Sequence, residues 1–149
     1  MAPERASHNR RTASARDALH RTIREAGLTS CEVFAGGMTG QIENSDFEPD
    51  ALLRYGPRLG DGSTKVSDPL VVVEVLSPDS GTRDRVTQLR AYFKLPSVQH
   101  YLIVWPDEQR IVRHSRMPDD QLGTQVFVSG EIRLDPPRLT TSVEEFYVY

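Results

Sequence analysis

The sequence predicts an α/β domain, a central sheet flanked by helices, and three observations carry that expectation. The run Pro69-Leu70-Val71-Val72-Val73-Glu74-Val75-Leu76-Ser77-Pro78 is apolar at both alternating positions, as in a strand covered on both faces, and belongs in the middle of the sheet. After it, Val86, Leu89 and Phe93 recur at helical spacing. Residues 99–105 then return to a strand-like apolar run.

A chain of 149 residues suits one domain, and at this size roughly 68–70% of the unfolded surface is buried. The net charge of −3 does not advertise a polyanion binder, although six arginines from Arg5 to Arg24 make the first segment locally basic. The single cysteine, Cys31, excludes an intrachain disulfide and a thiolate metal cluster and reads as a half-buried strand residue. His8, His20, His100 and His114 show no ligand spacing. No apolar segment reaches the roughly 18 residues of a membrane span, and the start lacks the apolar core of a signal peptide. A cytoplasmic protein with no membrane partner is expected.

Taken in order, residues 1–8 are polar and expected to be flexible. Ala13, Ala15, Leu19, Ile23 and Ala26 mark an amphipathic helix that stops at Gly27. Residues 31–35 alternate as a short strand, Gly36-Gly37 reads as a turn, and residues 38–42 read as the returning strand. A further strand spans 47–55 and carries Pro49-Asp50, and residues 56–68 have the glycine and polar content of an exposed loop. If the strands on either side of that loop pair antiparallel about Gly62, Asp50 falls opposite Glu74.

Glu74 shares its strand face with Leu70, Val72 and Leu76, where an unpaired buried carboxylate is costly. Set opposite Asp50, with β-carbons about 4.5–5.5 Å apart, the two acids repel unless a cation or a shared proton intervenes. A divalent metal resolves the conflict, and an arginine partner for Glu74 is the ordinary alternative. Asp79 or Ser80 can cap a helix over 81–94, on which Asp84, Gln88 and Tyr92 share one flank. That flank is either an ordinary solvated face or, aimed back at Glu74, part of a site. Residues 99–105 and 110–116 read as strands, and 125–129 with 131–134 as a hairpin around Gly130. Thr141-Ser142-Val143-Glu144 fits a capping box that opens a short C-terminal helix.

The order of motifs resembles the Uma2 family of bacterial nucleases. The resemblance is carried by Phe47-Glu48-Pro49-Asp50, the run from Asp68 to Pro78, and Asp84-Arg85 with Leu89 and Tyr92. Leu95-Pro96-Ser97-Val98 and Tyr101-Leu102-Ile103-Val104 extend it, so that it runs from near His8 to Tyr147. It implies a single domain with a restriction-endonuclease-like PD-(D/E)XK core, a mixed central sheet flanked by helices and additional C-terminal strands. It also implies hydrolysis of DNA phosphodiester bonds, with Asp50 and Glu74 as ligands of Mg²⁺ or Mn²⁺, hard ions that take oxygen donors and keep several waters. Gln88 becomes the third catalytic residue, orienting water or phosphate, with Asp84, Tyr92 and Lys65 in support. Gln88 with Tyr92 is similar to the Gln-xxx-Tyr helix motif of RecB-like members of the superfamily.

The sequence departs from that pattern at the lysine. Leu76 stands two residues after Glu74, where the superfamily usually has lysine, and Gln88 stands where relatives supply one from the helix. Of the two lysines in the chain, Lys94 lies about 120° around the helix from Gln88, and Lys65 reaches the site only if its loop folds over. Relatives also begin with a strand, bearing a glutamate, before the first helix, and that strand is expected to be lacking here. These departures set the alternative, a catalytically degenerate protein of nuclease fold that binds nucleic acid or protein. The shortened sheet leaves an edge, from which a homodimer or higher homo-oligomer is expected.

Overall fold

A computed structural model describes residues 5–35, 39–42, 45–77 and 82–149, and in it the α/β expectation holds. Helix α1 (Ala6–Ala26) leads into β1 (Cys31–Ala35), β2 (Thr39–Ile42), β3 (Ser45–Phe47), β4 (Ala51–Tyr55), β5 (Lys65–Val66) and β6 (Pro69–Val75). After α2 (Thr82–Lys94) come β7 (His100–Val104), β8 (Ile111–Arg116), β9 (Leu122–Phe127), β10 (Glu131–Leu134) and β11 (Leu139–Ser142). The main sheet has six strands in the order β1-β4-β6-β7-β8-β9. Its β6 and β7 run parallel and its other neighbours antiparallel, so the sheet is mixed. The two-sided apolar pattern of β6 is explained by its inner place, where Val71, Val72 and Val73 are fully buried.

The helices cover opposite faces. Ala15, Ala18, Leu19 and Ile23 of α1 pack against Val71, Val73 and Val75. The helix stops where Gly27 takes a left-handed φ of 67° and returns its N–H to the Arg24 carbonyl. On the other face Leu89, Tyr92 and Phe93 of α2 pack with Val72, Tyr101 and Ile103. Val86, expected in that apolar stripe, is 45% exposed, because Tyr92 and not Val86 turns into the sheet. Arg11 on α1 donates to the carbonyls of Pro106, Phe146 and Tyr149, which fastens the last residues against the helix.

Several boundaries differ from the sequence reading. Helix α1 begins at Ala6, so Ser7 and His8 are helical where a flexible segment was expected. The partner of β1 is β4, from Cys31 opposite Tyr55 to Ala35 opposite Ala51. Strand β2 lies instead between β3 and β5 in a separate three-stranded sheet, and Gly36 and Gly37, read as the turn, lie outside the described residues. The strand expected over 47–55 is divided at Pro49-Asp50, since proline offers no N–H to a ladder. The segment 56–68 contains β5, with Val66 fully buried, and is tied down by Arg54. The Arg54 guanidinium donates to both Asp68 oxygens at 3.1 and 3.2 Å and to the Pro57 carbonyl at 2.6 Å.

The hairpin around Gly130 does not form, because β9 pairs with β8 while β10 pairs with β11. Gly130, at φ 85°, turns the chain into this second sheet, whose Ile132 and Leu134 join the α1-side core. The C-terminal turn is a 3-10 helix over Glu144–Tyr147, and the Ser142 hydroxyl accepts the Glu145 N–H at 3.3 Å, one residue later than the pattern placed it. No helix among the described residues is long and apolar enough to cross a membrane.

Candidate active site

The antiparallel register expected about Gly62 holds at Ala51 opposite Val73, Leu52 opposite Val72 and Leu53 opposite Val71, and shifts by one residue nearer the connection, where Arg54 lies opposite Pro69. Asp50, at the bend just before β4, and Glu74, one residue from the end of β6, are therefore brought to the same level of the sheet. The main chain fixes the first carboxylate, since Asp50 Oδ2 accepts the Val75 N–H at 2.7 Å. The second projects toward α2, where the Tyr92 hydroxyl donates to Glu74 Oε1 at 2.9 Å.

Burial, followed by the charge of Asp50, pushes the Glu74 carboxyl up from the usual 4.5 to about 8, outweighing the hydrogen bond from Tyr92. Burial and the facing Glu74 also push the Tyr92 phenol upward, which keeps it a donor. Tyr101 packs edge-on against Tyr92 with ring centroids 5.2 Å apart, and its hydroxyl donates to Gln88 Oε1 at 3.4 Å. Gln88 is thus joined to the carboxylates through two tyrosines, and its NH₂ is the group left to donate.

The other sequence candidates fall as follows. Asp84 lies one turn before Gln88 on α2, and its side chain is outside the described residues. Lys65 is exposed on β5, opposite Thr39 of β2, and so belongs to a strand instead of a free loop. Leu76 packs into the apolar cluster under α2, and Lys94 is exposed at the end of that helix.

One participant was missed. His8 Nε2 donates to the Val75 carbonyl at 3.0 Å and lies 3.7 Å from Asp50 Oδ2. A single residue, Val75, therefore holds Asp50 through its N–H and His8 through its C=O. The signal was present as spacing, because His8 stands three and seven residues before the buried Arg11 and Ala15 and so on the inner face of α1. The polar start of the chain concealed it.

Asp50 and Glu74 fit a hard divalent cation. One carboxyl is made to keep its proton by burial and by the other, and a cation of matching size can replace that proton. Among the described residues no group of three or more His, Cys, Asp or Glu is close enough to cage an ion. Two carboxylates with retained water are what Mg²⁺ ordinarily takes from a protein.

Comparison with known proteins agrees with this fold. A crystal structure described as "a putative nuclease belonging to DUF820", from Anabaena variabilis, superposes with a TM-score of 0.77 at 16% identity, covering 98% of this chain and 83% of the other. An uncharacterized protein of Synechocystis sp. is 29% identical over 120 residues, which are 78% of this chain but 63% of the relative. The chain thus spans less than two thirds of that relative's length. The sequence matches the Uma2 family, described as "Putative restriction endonuclease", over residues 1–145. With almost the whole chain inside that match, the protein belongs to the Uma2 family.

Proposed function

We propose that this Uma2 protein is a metal-dependent endonuclease that hydrolyses DNA phosphodiester bonds in the cytoplasm, with Mg²⁺ or Mn²⁺ held by Asp50 and Glu74. The observation that carries the reading is the acid pair itself, in which burial and Asp50 drive Glu74 up to about 8. The family description and the description of the structural neighbour as a nuclease support the same chemistry. A bound divalent ion would supply a Lewis acid for a phosphate oxygen and an acidified water. The rest is the work of the chain. Glu74, oriented by the Tyr92 hydroxyl, and Asp50, fixed by the Val75 N–H with His8 alongside, would hold the ion. Gln88 offers its NH₂ to the attacked phosphate or to water, in the place where a lysine would bring a positive charge. A cleft of about 190 Å³, lined by Arg5, Ser7, His8, Ser77 and Asp107 among others, adjoins the pair through His8 and offers Arg5 to a phosphate.

The test is cleavage of supercoiled and linear DNA, with RNA alongside, in Mg²⁺, in Mn²⁺ and in chelator. Asp50→Asn and Glu74→Gln should each abolish a cleavage that requires the ion. Activity that survives both substitutions would sink the proposal. A second reading has its own observation, the absence of lysine at positions 76 and 88 together with the engagement of the Gln88 oxygen by Tyr101. In that reading the protein binds nucleic acid or protein without cutting. Cleavage gained only in Gln88→Lys would favour it, and robust cleavage by the unmodified chain would reject it.

A further inference from the structure

The main sheet ends at β1 on one side and at β9 on the other. Along β1, Arg58, Leu59 and Asp61 line an open cleft of about 480 Å³ together with Glu32, Val33 and Phe34. The Leu59 N–H reaches Glu32 Oε2 at 3.4 Å. Along β9, the last strand in the order, no element among the described residues pairs with the outer edge. Exposed strand edges are ordinarily protected by charge, proline or a short length. Strand β9 has six residues, and positions 121–130 carry no charged side chain and no proline.

The face next to this edge is open and carries aliphatic side chains interspersed with His114, Thr124 and Arg116. Helix α2 covers β6 and β7, and β8 and β9 continue beyond it. Val126 is 62% exposed, Val128 59% and Leu122 42%. In register, Ile103 lies opposite Val112 and Val112 opposite Val126, so one apolar row crosses three strands. Val112 also lines a cleft of about 320 Å³ with Leu89, Trp105 and Val86. Contiguous apolar patches of a few hundred Å² on a monomer commonly mark an interaction surface.

We infer that this edge and face dock a second copy of the chain, β9 running antiparallel to its counterpart across a two-fold axis. Three features favour a copy over a foreign partner. The chain is acidic overall, with net charge −3, so two copies meet most easily at an uncharged strip, and residues 121–130 are one. Antiparallel pairing of a strand with itself is self-complementary, because a two-fold axis presents the same surface from both sides. Centred on Gln125, it sets Leu122 opposite Val128 and Thr124 opposite Val126, joining the exposed apolar side chains of both copies. The two-fold pairing uses the β9 edge of each copy, so it does not propagate through β9.

The test is sedimentation of the intact protein across a wide concentration range, with Val126→Lys as the perturbation. Val126 is largely exposed, so the fold should be kept, and circular dichroism checks that it is. In the dimer the two lysines lie close to the axis without compensating charge. The unmodified protein should dimerise at micromolar concentration, and Val126→Lys should raise the dissociation constant by at least about tenfold. Hydrogen exchange should show slowed main-chain amides in 122–128 that become fast in the variant. A monomer at every concentration, an equally tight dimer in Val126→Lys, or a ladder of larger species would each overturn the inference.

Discussion

Replacement of Glu74 by glutamine isolates the acid pair from everything else in the site. Glutamine keeps the shape and an oxygen for the Tyr92 hydroxyl but has no proton to lose. In the unfolded chain Glu74 ionises near the usual 4.5, and in the folded protein burial and Asp50 hold its proton until about 8. Between those values the native state binds more protons than the unfolded one, so stability falls as pH rises. The slope is about 1.4 kcal/mol per pH unit, so the loss by neutral pH is on the order of 3 kcal/mol, a large share of a typical total of roughly 5–15 kcal/mol. Urea denaturation in chelator, followed from mildly acidic to mildly alkaline pH, should therefore show the unmodified protein losing stability across that window. Glu74→Gln should lack this component and be the more stable of the two at neutral pH. Mn²⁺ should reverse the order, stabilising the protein that can ionise Glu74 and leaving the variant nearly unchanged. Equal pH dependence of the two proteins in chelator would refute the reasoning.

Other substitutions probe the supports of the pair. Tyr92→Phe removes the hydrogen bond that lowers the Glu74 pKa, so Glu74 should titrate still higher and Mn²⁺ affinity at neutral pH should drop several-fold, recovering as pH rises. Calorimetric titration at two pH values reads this, and an unchanged affinity at both contradicts it. His8→Ala should lower metal affinity or cleavage by roughly 10–100-fold, the range for residues that orient a ligand from behind, while costing only about 1 kcal/mol of stability. A loss confined to stability would assign His8 a purely architectural role. Arg54→Met should cost about 2 kcal/mol in thermal or urea denaturation, because Arg54 is 5% exposed and ties Pro57 and Asp68 to the sheet. A neutral result would show that the segment 56–68 is held mainly by β5.

What the sequence revealed about the fold is what local pattern can encode. The run 69–75 announced its two-sided burial because its residues on both faces are mostly aliphatic, and the register counted about position 62 holds over Ala51–Leu53, although it shifts at Arg54. Asp50 and Glu74 were legible through that register alone. The partner of β1 was not, since Met38 to Ile42 is nearer in sequence than β4 and nothing in Cys31–Ala35 distinguishes the two. The same limit explains β9 and β10, whose shared Gly130 looks like a hairpin tip although it turns the chain from one sheet to another.

The site shows that limit most clearly in His8 and Gln88. A polar, arginine-rich start reads as solvated chain, because its composition does not contain the fact that Val75 offers a carbonyl to the first turns of α1. Only the tertiary packing of Ala15, Ala18 and Leu19 on β6 brings that carbonyl within reach. Gln88 is the converse case, a position whose helical flank was correctly read but whose contact with Tyr101 comes from β7, in another part of the sequence. Both residues act through groups that strand pairing supplies. The chemistry of this site therefore depends on β6 twice over, first as the strand that carries Glu74 and again as the main chain that fastens Asp50 and His8.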